Sequence, residues 1–197
     1  MSFLYTPELI DNALRYTSYR ADINNILSRP PADEKAEKMW PYIQNNSKFM
    51  EQYDASVKLS KNLTAVLKNA PSTTWILITE GWCGDAAFCV PVIAALEKAF
   101  PEKINLFLFL RDSNLELMDA HLTNGGRSIP KLIILNQNLK EIGNWGPRPA
   151  ALHSLMDKWK SDGLVLKEII PKVHEWYHAD NTDSTQEELI ALIKSYS

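Results

Sequence analysis

Residues 79–86 read Thr-Glu-Gly-Trp-Cys-Gly-Asp-Ala, and they join a short apolar run to a stretch with helical periodicity. The run that ends in them, residues 75–79, has the composition of a buried strand, and a helical pattern extends from about residue 86 to residue 100. Cys83 is therefore expected at the N-terminus of a helix that begins directly after a strand. Backbone N–H groups and the helix dipole stabilise a thiolate there, which lowers the pKa of a cysteine below its free value of about 8.5.

Two acidic residues beside Cys83 work against this effect. Glu80 precedes the cysteine and Asp85 follows it, and negative charge near a thiol disfavours its ionised form. A moderate lowering of the Cys83 pKa is therefore expected. Because only the thiolate attacks sulfur, a cysteine in this position is a candidate nucleophile.

Further apolar runs extend the alternation of strands and helices. Residues 104–110 and 131–135 are short and apolar, and residues 139–145 follow the turn sequence Asn-Gln-Asn at 136–138. The predicted order is strand, helix, strand and then a hairpin. This order predicts an α/β core.

A helical region precedes this core. In the first 70 residues the apolar positions recur every three or four residues, and Pro30 with Pro31 divides the region into two helical pieces. Asp33 and Glu34 suit the start of the second piece, which Pro41 is expected to bend or restart.

The C-terminal part of the chain is also predicted to be helical. The pattern resumes from Pro149 onward, with breaks at residues 162–163 and 181–183. Thr185 is followed three residues later by Glu188, which is the spacing of a capping box. The last helix is therefore predicted to begin at Thr185.

The composition indicates a globular protein and argues against several classes of partner. The chain has 197 residues, of which 45% are hydrophobic, so it can bury a sizeable core. Its net charge of −3 gives no strong field for nucleic acid or acidic lipid. The N-terminal residues lack a basic leader followed by an apolar run, and no stretch approaches the roughly 20 apolar residues that cross a bilayer. We therefore expect no membrane association and a cytoplasmic location. Two cysteines in a chain of this size are too few for a disulfide framework.

The motif and its surroundings resemble the thioredoxin family. The match consists of the strand that leads into Trp82-Cys83-Gly84, of Pro91 eight residues after the cysteine, and of Ile129-Pro130 before a later strand. It covers roughly residues 70–160 and looks closest to a bacterial thioredoxin-like branch with a Trp-Cys-Gly-Asp motif. The resemblance implies a thioredoxin-like fold, a cis Pro130 that faces the cysteine, and thiol-disulfide exchange. It also implies that Trp82, Gly84, Ile129 and Pro130 bind the substrate.

Two departures from the thioredoxin pattern define the expected chemistry. Thioredoxins have a second cysteine three residues after the first, and this chain has Ala86 at that position. Thioredoxins also have a buried acidic residue six residues before the first cysteine, and this chain has Leu77 there. Cys83 is therefore expected to work as a single catalytic thiol that an external thiol must resolve. The expected partners are protein disulfides or low-molecular-weight thiol disulfides, and the residues demand no cofactor.

Cys89 does not replace the missing thiol. Six residues along a helix give about 9 Å of rise and some 240° of rotation, whereas a disulfide needs Cα atoms within about 7 Å. Cys89 lies between Phe88 and Val90 and is expected to be a small buried apolar residue. We therefore predict that Cys83 and Cys89 do not pair.

Residues 174–178 read His-Glu-Trp-Tyr-His and match the H-E-x-x-H pattern of zinc hydrolases. A third ligand would have to come from Asp183, Glu187 or Glu188, and no usable spacing supports one. We expect no metal site, and we interpret the stretch as a partly exposed amphipathic helix whose Trp176 and Tyr177 pack on the sheet domain.

The loop before Pro130 contains an arginine that is a candidate for the functional site. Residues 124–127 read Asn-Gly-Gly-Arg, but the lysine and helix of a phosphate-binding loop do not follow. In a thioredoxin-like fold this loop approaches Cys83, so the charge of Arg127 could favour the thiolate or a substrate carboxylate. A solvated arginine is the alternative.

The sequence therefore predicts a thioredoxin-like α/β fold with helical extensions at both ends. The expected parts are a helical region at 1–70, a thioredoxin-like domain at 71–160 and a helical extension at 161–197. The preferred function is monothiol exchange through Cys83. The alternatives are a redox-inactive module that binds a peptide or partner protein and, third, a zinc hydrolase on the C-terminal helix.

Overall fold

The computed structural model describes residues 3–197, within which a four-stranded mixed sheet is flanked by helices. The strands are β1 (Thr73–Thr79), β2 (Ile104–Leu110), β3 (Lys131–Leu135) and β4 (Glu141–Trp145). Their order across the sheet is β2-β1-β3-β4, with β2 parallel to β1 and with β3 and β4 each antiparallel to its neighbour. The predicted α/β fold is confirmed.

The central position of β1 explains its apolar sequence. The side chains from Trp75 to Ile78 have no exposed surface, because the sheet and its helices cover both faces of this strand. The strand begins two residues before the predicted run, since the polar Thr73 and Thr74 already pair with β2. The hairpin turn extends to Leu139, whose φ of 55° ends the extended backbone, so β4 begins later than predicted.

The N-terminal region is helical, as expected. Its helices are α1 (Pro7–Asp11), α2 (Tyr16–Leu27), α3 (Glu34–Ser56) and α4 (Lys61–Asn69). The Asp33 side chain caps α3 by accepting a hydrogen bond from the Ala36 amide at 2.7 Å. The helix does not restart at Pro41 but continues through it, and its buried residues include Ile43 and Met50. It packs against the helix that follows β1.

The remaining helices follow the strands. They are α5 (Gly84–Ala99), α6 (Leu115–Asp119), α7 (Ala150–Ser161), α8 (Leu166–Asp180) and α9 (Asp183–Lys194). Helix α5 packs on β2 and α9 packs on β4, while α7 and α8 pack against each other. In residues 3–197 no helix combines the length and the apolarity needed to cross a membrane.

The predicted capping box of the last helix is wrong. Helix α9 begins at Asp183, so Thr185 lies inside the helix and is buried. Glu188 instead accepts hydrogen bonds from Trp145 Nε1 at 2.6 Å and from the Ala150 amide at 2.7 Å. The carboxylate therefore joins α9 to β4 and to the start of α7, and these long-range contacts override the local capping pattern. The division of the chain into three parts stays a prediction.

Candidate functional site

The end of β1 and the start of α5 place Cys83 as expected. Cys83 is the N-cap residue of α5, and its amide donates to the Glu80 carbonyl at 3.1 Å. Its side chain is buried, with 7% of the residue exposed. The Cys83 Sγ donates a hydrogen bond to the Ile129 carbonyl oxygen at 3.2 Å. The Ile129–Pro130 peptide bond is cis, as the resemblance to thioredoxins implied.

The expected lowering of the Cys83 pKa is wrong. Burial raises the pKa of this thiol to about 12, and the Asp85 carboxylate acts in the same direction. The amide of Ala86 and the guanidinium of Arg148 lower the pKa by less. The helix N-terminus thus has the predicted effect, but the loss of water around the sulfur outweighs it. Near neutral pH the Cys83 thiol is protonated.

The raised pKa makes the stability of the fold depend on pH in the alkaline range. The unfolded chain loses the Cys83 proton above a pKa of about 8.5, whereas the folded chain keeps it up to a pH of about 12. The contribution of this thiol is complete below the unfolded pKa and is lost as the pH rises. Between pH 9 and pH 11 we expect Cys83 to lower the free energy of unfolding by about 1.4 kcal/mol per pH unit.

Urea unfolding at pH 8 to 10.5 measures this slope. The free energy of unfolding should decrease less steeply with pH in the Cys83→Ala variant than in the wild type. The Cys89→Ala variant should keep the part of the decrease that is due to Cys83. An identical pH dependence in the wild type and in Cys83→Ala would contradict the raised pKa.

A buried ion pair stands beside Cys83 at the start of α5. Asp85 Oδ2 accepts hydrogen bonds from Arg148 at 2.6 and 3.0 Å, and Asp85 Oδ1 accepts one from the Tyr177 hydroxyl at 2.8 Å. The Asp85 and Arg148 side chains are 10% and 16% exposed. This cluster ties α5 to α8 and to the loop after β4, and the charge of Arg148 balances that of Asp85.

A cavity of about 790 Å³ opens in front of Cys83. Its lining includes Trp82, Cys83 and Gly84 from the motif, together with Ile129. Helix α3 contributes residues such as Asn45 and Asn46, and helix α8 contributes an equal number of residues, among them Ile170 and His174. Helices α3 and α8 thus form much of the wall of the cavity.

The H-E-x-x-H stretch lies on α8, and its first histidine faces this cavity. His174 lines the cavity, and its Nε2 atom is 3.9 Å from the position that a Cβ atom at Gly84 would occupy. Burial, followed by the neighbouring His178, lowers the pKa of His174. The imidazole is therefore neutral near pH 7.

The two histidines pack among aromatic rings. The ring centroid of Phe49 is 4.9 Å from that of His174 and 5.4 Å from that of His178. Of the three proposed third ligands, Glu188 bonds to Trp145 and Ala150. Across residues 3–197, no three His, Cys, Asp or Glu side chains are grouped as metal ligands.

Two more arginines line the cavity from the loops after β2 and before β3. The Arg111 guanidinium lies 4.5 Å above the Trp82 ring and bonds to Asp112. The Arg127 guanidinium bonds to Asp119 through two nitrogens, at 2.6 and 2.8 Å. The loop of Arg127 therefore approaches the site as expected, and the arginine is paired as well as solvated.

Cys89 lies away from the cavity, with no exposed surface. Its Sγ is 3.5 Å from the Tyr177 hydroxyl, and burial raises the pKa of this thiol. Both cysteines are free. Cys89 therefore belongs to the core, as its apolar neighbours in the sequence indicated.

The structure brings most of the proposed site residues together. Trp82, Cys83, Gly84 and Ile129 line the cavity. Pro130 is buried and is not a lining residue, and its carbonyl closely approaches Gly146. Arg148 was missed because it is far from the motif in sequence. The sequence signal nearest to Arg148 is the Gly-Pro pair at 146–147, which indicates a turn just before this arginine. In the structure the peptide bond of this pair is cis.

Comparisons with known proteins agree with this fold. A protein of unknown function from Pseudomonas aeruginosa has a TM-score of 0.64 at 15% identity, and the match covers 99% of this chain and 100% of that chain. An HIV epitope scaffold has a TM-score of 0.63 at 14% identity, with 98% and 100% covered. No curated protein matches the sequence significantly. The family model Thioredoxin_9, described as thioredoxin, matches residues 33–160, and the chain therefore belongs to this thioredoxin family.

Proposed function

We propose that this protein is a monothiol thiol-disulfide exchange protein with Cys83 as its nucleophile. The observation that carries the proposal is the position of Cys83 on the wall of the cavity, beside the cis Ile129–Pro130 bond and at the start of α5. The amides of Asp85 and Ala86 act on the sulfur and favour its thiolate. An incoming disulfide would therefore meet a thiol that is held by backbone groups at the start of α5 and by the Ile129 carbonyl, rather than a solvated side chain.

The exchange has two steps. In the first, the Cys83 sulfur bonds to one sulfur of a disulfide, and the other sulfur leaves as a thiol that takes up the proton lost by Cys83. In the second, an external thiol bonds to the substrate sulfur of the mixed disulfide, and Cys83 regains a proton. The external thiol is needed because Ala86 occupies the position of an internal resolving cysteine.

The raised pKa of Cys83 sets the pH dependence of the first step. The fraction of thiolate increases about tenfold per pH unit below the pKa, so the rate should increase steadily from pH 7 to pH 10. A plateau that begins near pH 8.5 would contradict the pKa of about 12.

Reaction with 2-hydroxyethyl disulfide tests the function directly. At pH 8.5 the folded protein should gain one hydroxyethylthio group on Cys83, detected by peptide mass spectrometry, and dithiothreitol should remove it. Cys83→Ser should gain none, whereas Cys89→Ser should react as the wild type does, because Cys89 is fully buried. Modification only at the rate of global unfolding would refute the proposal.

The second candidate is a redox-inactive module that binds a peptide or partner protein beside Ile129. The favouring observation is that burial keeps the Cys83 thiol protonated while it donates to the Ile129 carbonyl. Under this alternative, Cys83→Ser would preserve partner binding, and the hydroxyethyl adduct would not form in the folded state.

A further inference from the structure

The cavity beside Cys83 has the dimensions of a small-molecule site. Its volume of about 790 Å³ falls within the roughly 300–1,000 Å³ that ligand pockets occupy. Helices α3 and α8, which lie outside the sheet, both contribute to its wall. Tyr42 on α3 and Leu166 on α8 are 48% and 63% exposed, so these lining residues also reach the solvent.

The charged residues of the lining are mostly positive. Arg111, Arg127 and Arg148 line the cavity, and Asp85 is the carboxylate among the lining residues. The Arg148 guanidinium bonds to Asp85, which balances one positive charge. The cavity therefore has two further guanidinium groups in a chain whose net charge is −3.

The carboxylates that bind these two guanidinium groups do not line the cavity. Asp112 holds Arg111 and Asp119 holds Arg127, each through two hydrogen bonds. A guanidinium has five N–H groups in a fixed fork, so N–H groups of Arg127 remain for a ligand. The Arg127 and Asp119 side chains are both 47% exposed, which lets an incoming anion compete with this carboxylate.

An apolar surface completes the cavity. Its lining residues on α3, α7 and α8 include Met39, Met156, Ile170 and Val173. These side chains suit the hydrocarbon part of a ligand, and methionine adapts to irregular shapes. Arg111 makes a third hydrogen bond, from Nη1 to the Arg127 carbonyl at 3.3 Å, so it keeps fewer N–H groups for a ligand than Arg127 does. The lining thus combines a thiol, two guanidinium groups and an apolar wall.

We propose that this cavity binds a small organic disulfide that carries carboxylate groups, and that Arg111 and Arg127 recognise its negative charge. This inference rests on the proposed exchange function of Cys83 and specifies its substrate class. The Cys83 sulfur forms a mixed disulfide with one half of the molecule, and the other half leaves as a carboxylate-bearing thiol that takes up the cysteine proton.

Two disulfides of similar size and opposite charge test the proposal. 3,3′-Dithiodipropionate ends in two carboxylates, and cystamine ends in two ammonium groups. Each rate of Cys83 modification at pH 8.5 is divided by the rate of the same disulfide with 2-mercaptoethanol, which corrects for intrinsic reactivity. We expect the corrected rate with dithiodipropionate to exceed that with cystamine by about tenfold at low salt, and the preference should shrink at high salt.

Matched variants locate the preference. Arg127→Gln and Arg111→Gln should each reduce the preference several-fold. Arg29→Gln removes the same charge from an exposed position outside the cavity lining and should leave the preference unchanged. Equal corrected rates in the wild type, or a preference that Arg29→Gln reduces as much as Arg127→Gln does, would overturn the proposal. A disulfide-bonded peptide that reacts faster than both probes would also overturn it.

Calorimetry with the Cys83→Ser variant separates the failure of this inference from that of the proposed function. Binding of dithiodipropionate without binding of cystamine would support the anion site even if Cys83 proves unreactive in the wild type. Rapid modification of Cys83 by both probes without selective binding would support exchange and refute the anion site.

Discussion

Arg148→Met is expected to lower the free energy of unfolding by about 3 kcal/mol. The substitution removes the partner of Asp85, whose side chain is 10% exposed and would keep only the hydrogen bond from Tyr177. A carboxylate that is buried without its counter-ion destabilises the folded state. Urea unfolding followed by circular dichroism at pH 7 measures the loss.

Two control variants separate burial from the mere loss of charge. Arg127→Met breaks an ion pair in which both side chains are 47% exposed, so it should cost far less stability than Arg148→Met does. The double variant Asp85→Leu with Arg148→Met removes both buried charges and should recover part of the stability that Arg148→Met loses. A loss below 1 kcal/mol in Arg148→Met would contradict the burial of Asp85.

Strands β2 and β3 could be predicted because a strand that is buried in the fold carries a local signal, a short run of apolar residues. Residues 104–110 and 131–135 were recognised by apolar runs that match β2 and β3 residue for residue. The polar residues at the start of β1 carried no such signal, although they pair with β2. A strand is therefore visible in the sequence where both of its faces are covered and less visible where polar residues continue the pairing.

The pKa of Cys83 could not be predicted from the motif alone. The motif shows the helix N-terminus and the charge of Asp85, and both act on the thiol in the predicted direction. It does not show the removal of solvent, which depends on distant residues such as Ile129. The directions of the local electrostatic effects on the Cys83 pKa were predicted correctly, but the larger effect on this pKa is burial, which comes from the tertiary fold.

The cavity was missed for a similar reason. Its wall combines residues of the motif with side chains from α3 and α8, which are about 40 residues before and 90 residues after Cys83 in the chain. His174 was noticed as part of a metal pattern, yet its place is beside Gly84. The pattern drew attention to His174, but it carried no information on the cavity that this residue lines.

Ala86→Cys is expected to convert the protein from a monothiol to a dithiol. Residues three apart on a helix have Cα atoms about 5 Å apart, which is within the range of about 4.4–6.8 Å that a disulfide spans. The new thiol would lie one turn from Cys83 and would attack a mixed disulfide intramolecularly. The hydroxyethyl adduct on Cys83 should then disappear about 100-fold faster without added thiol, because the attacking group is already in place.

Mass spectrometry of the quenched reaction checks this expectation through the lifetime of the adduct and the appearance of an 83–86 disulfide. Ala94→Cys is the matched control, because it adds a thiol to the same helix at a buried site that lies about 16 Å from Cys83 along the helix axis. Its adduct should persist as in the wild type. If the adduct of Ala86→Cys also persisted, the first turn of α5 would hold the two sulfurs apart, and Ala86 would not explain the need for an external thiol. If both variants cleared the adduct, resolution would be intermolecular, since only position 86 lies within bonding distance of Cys83.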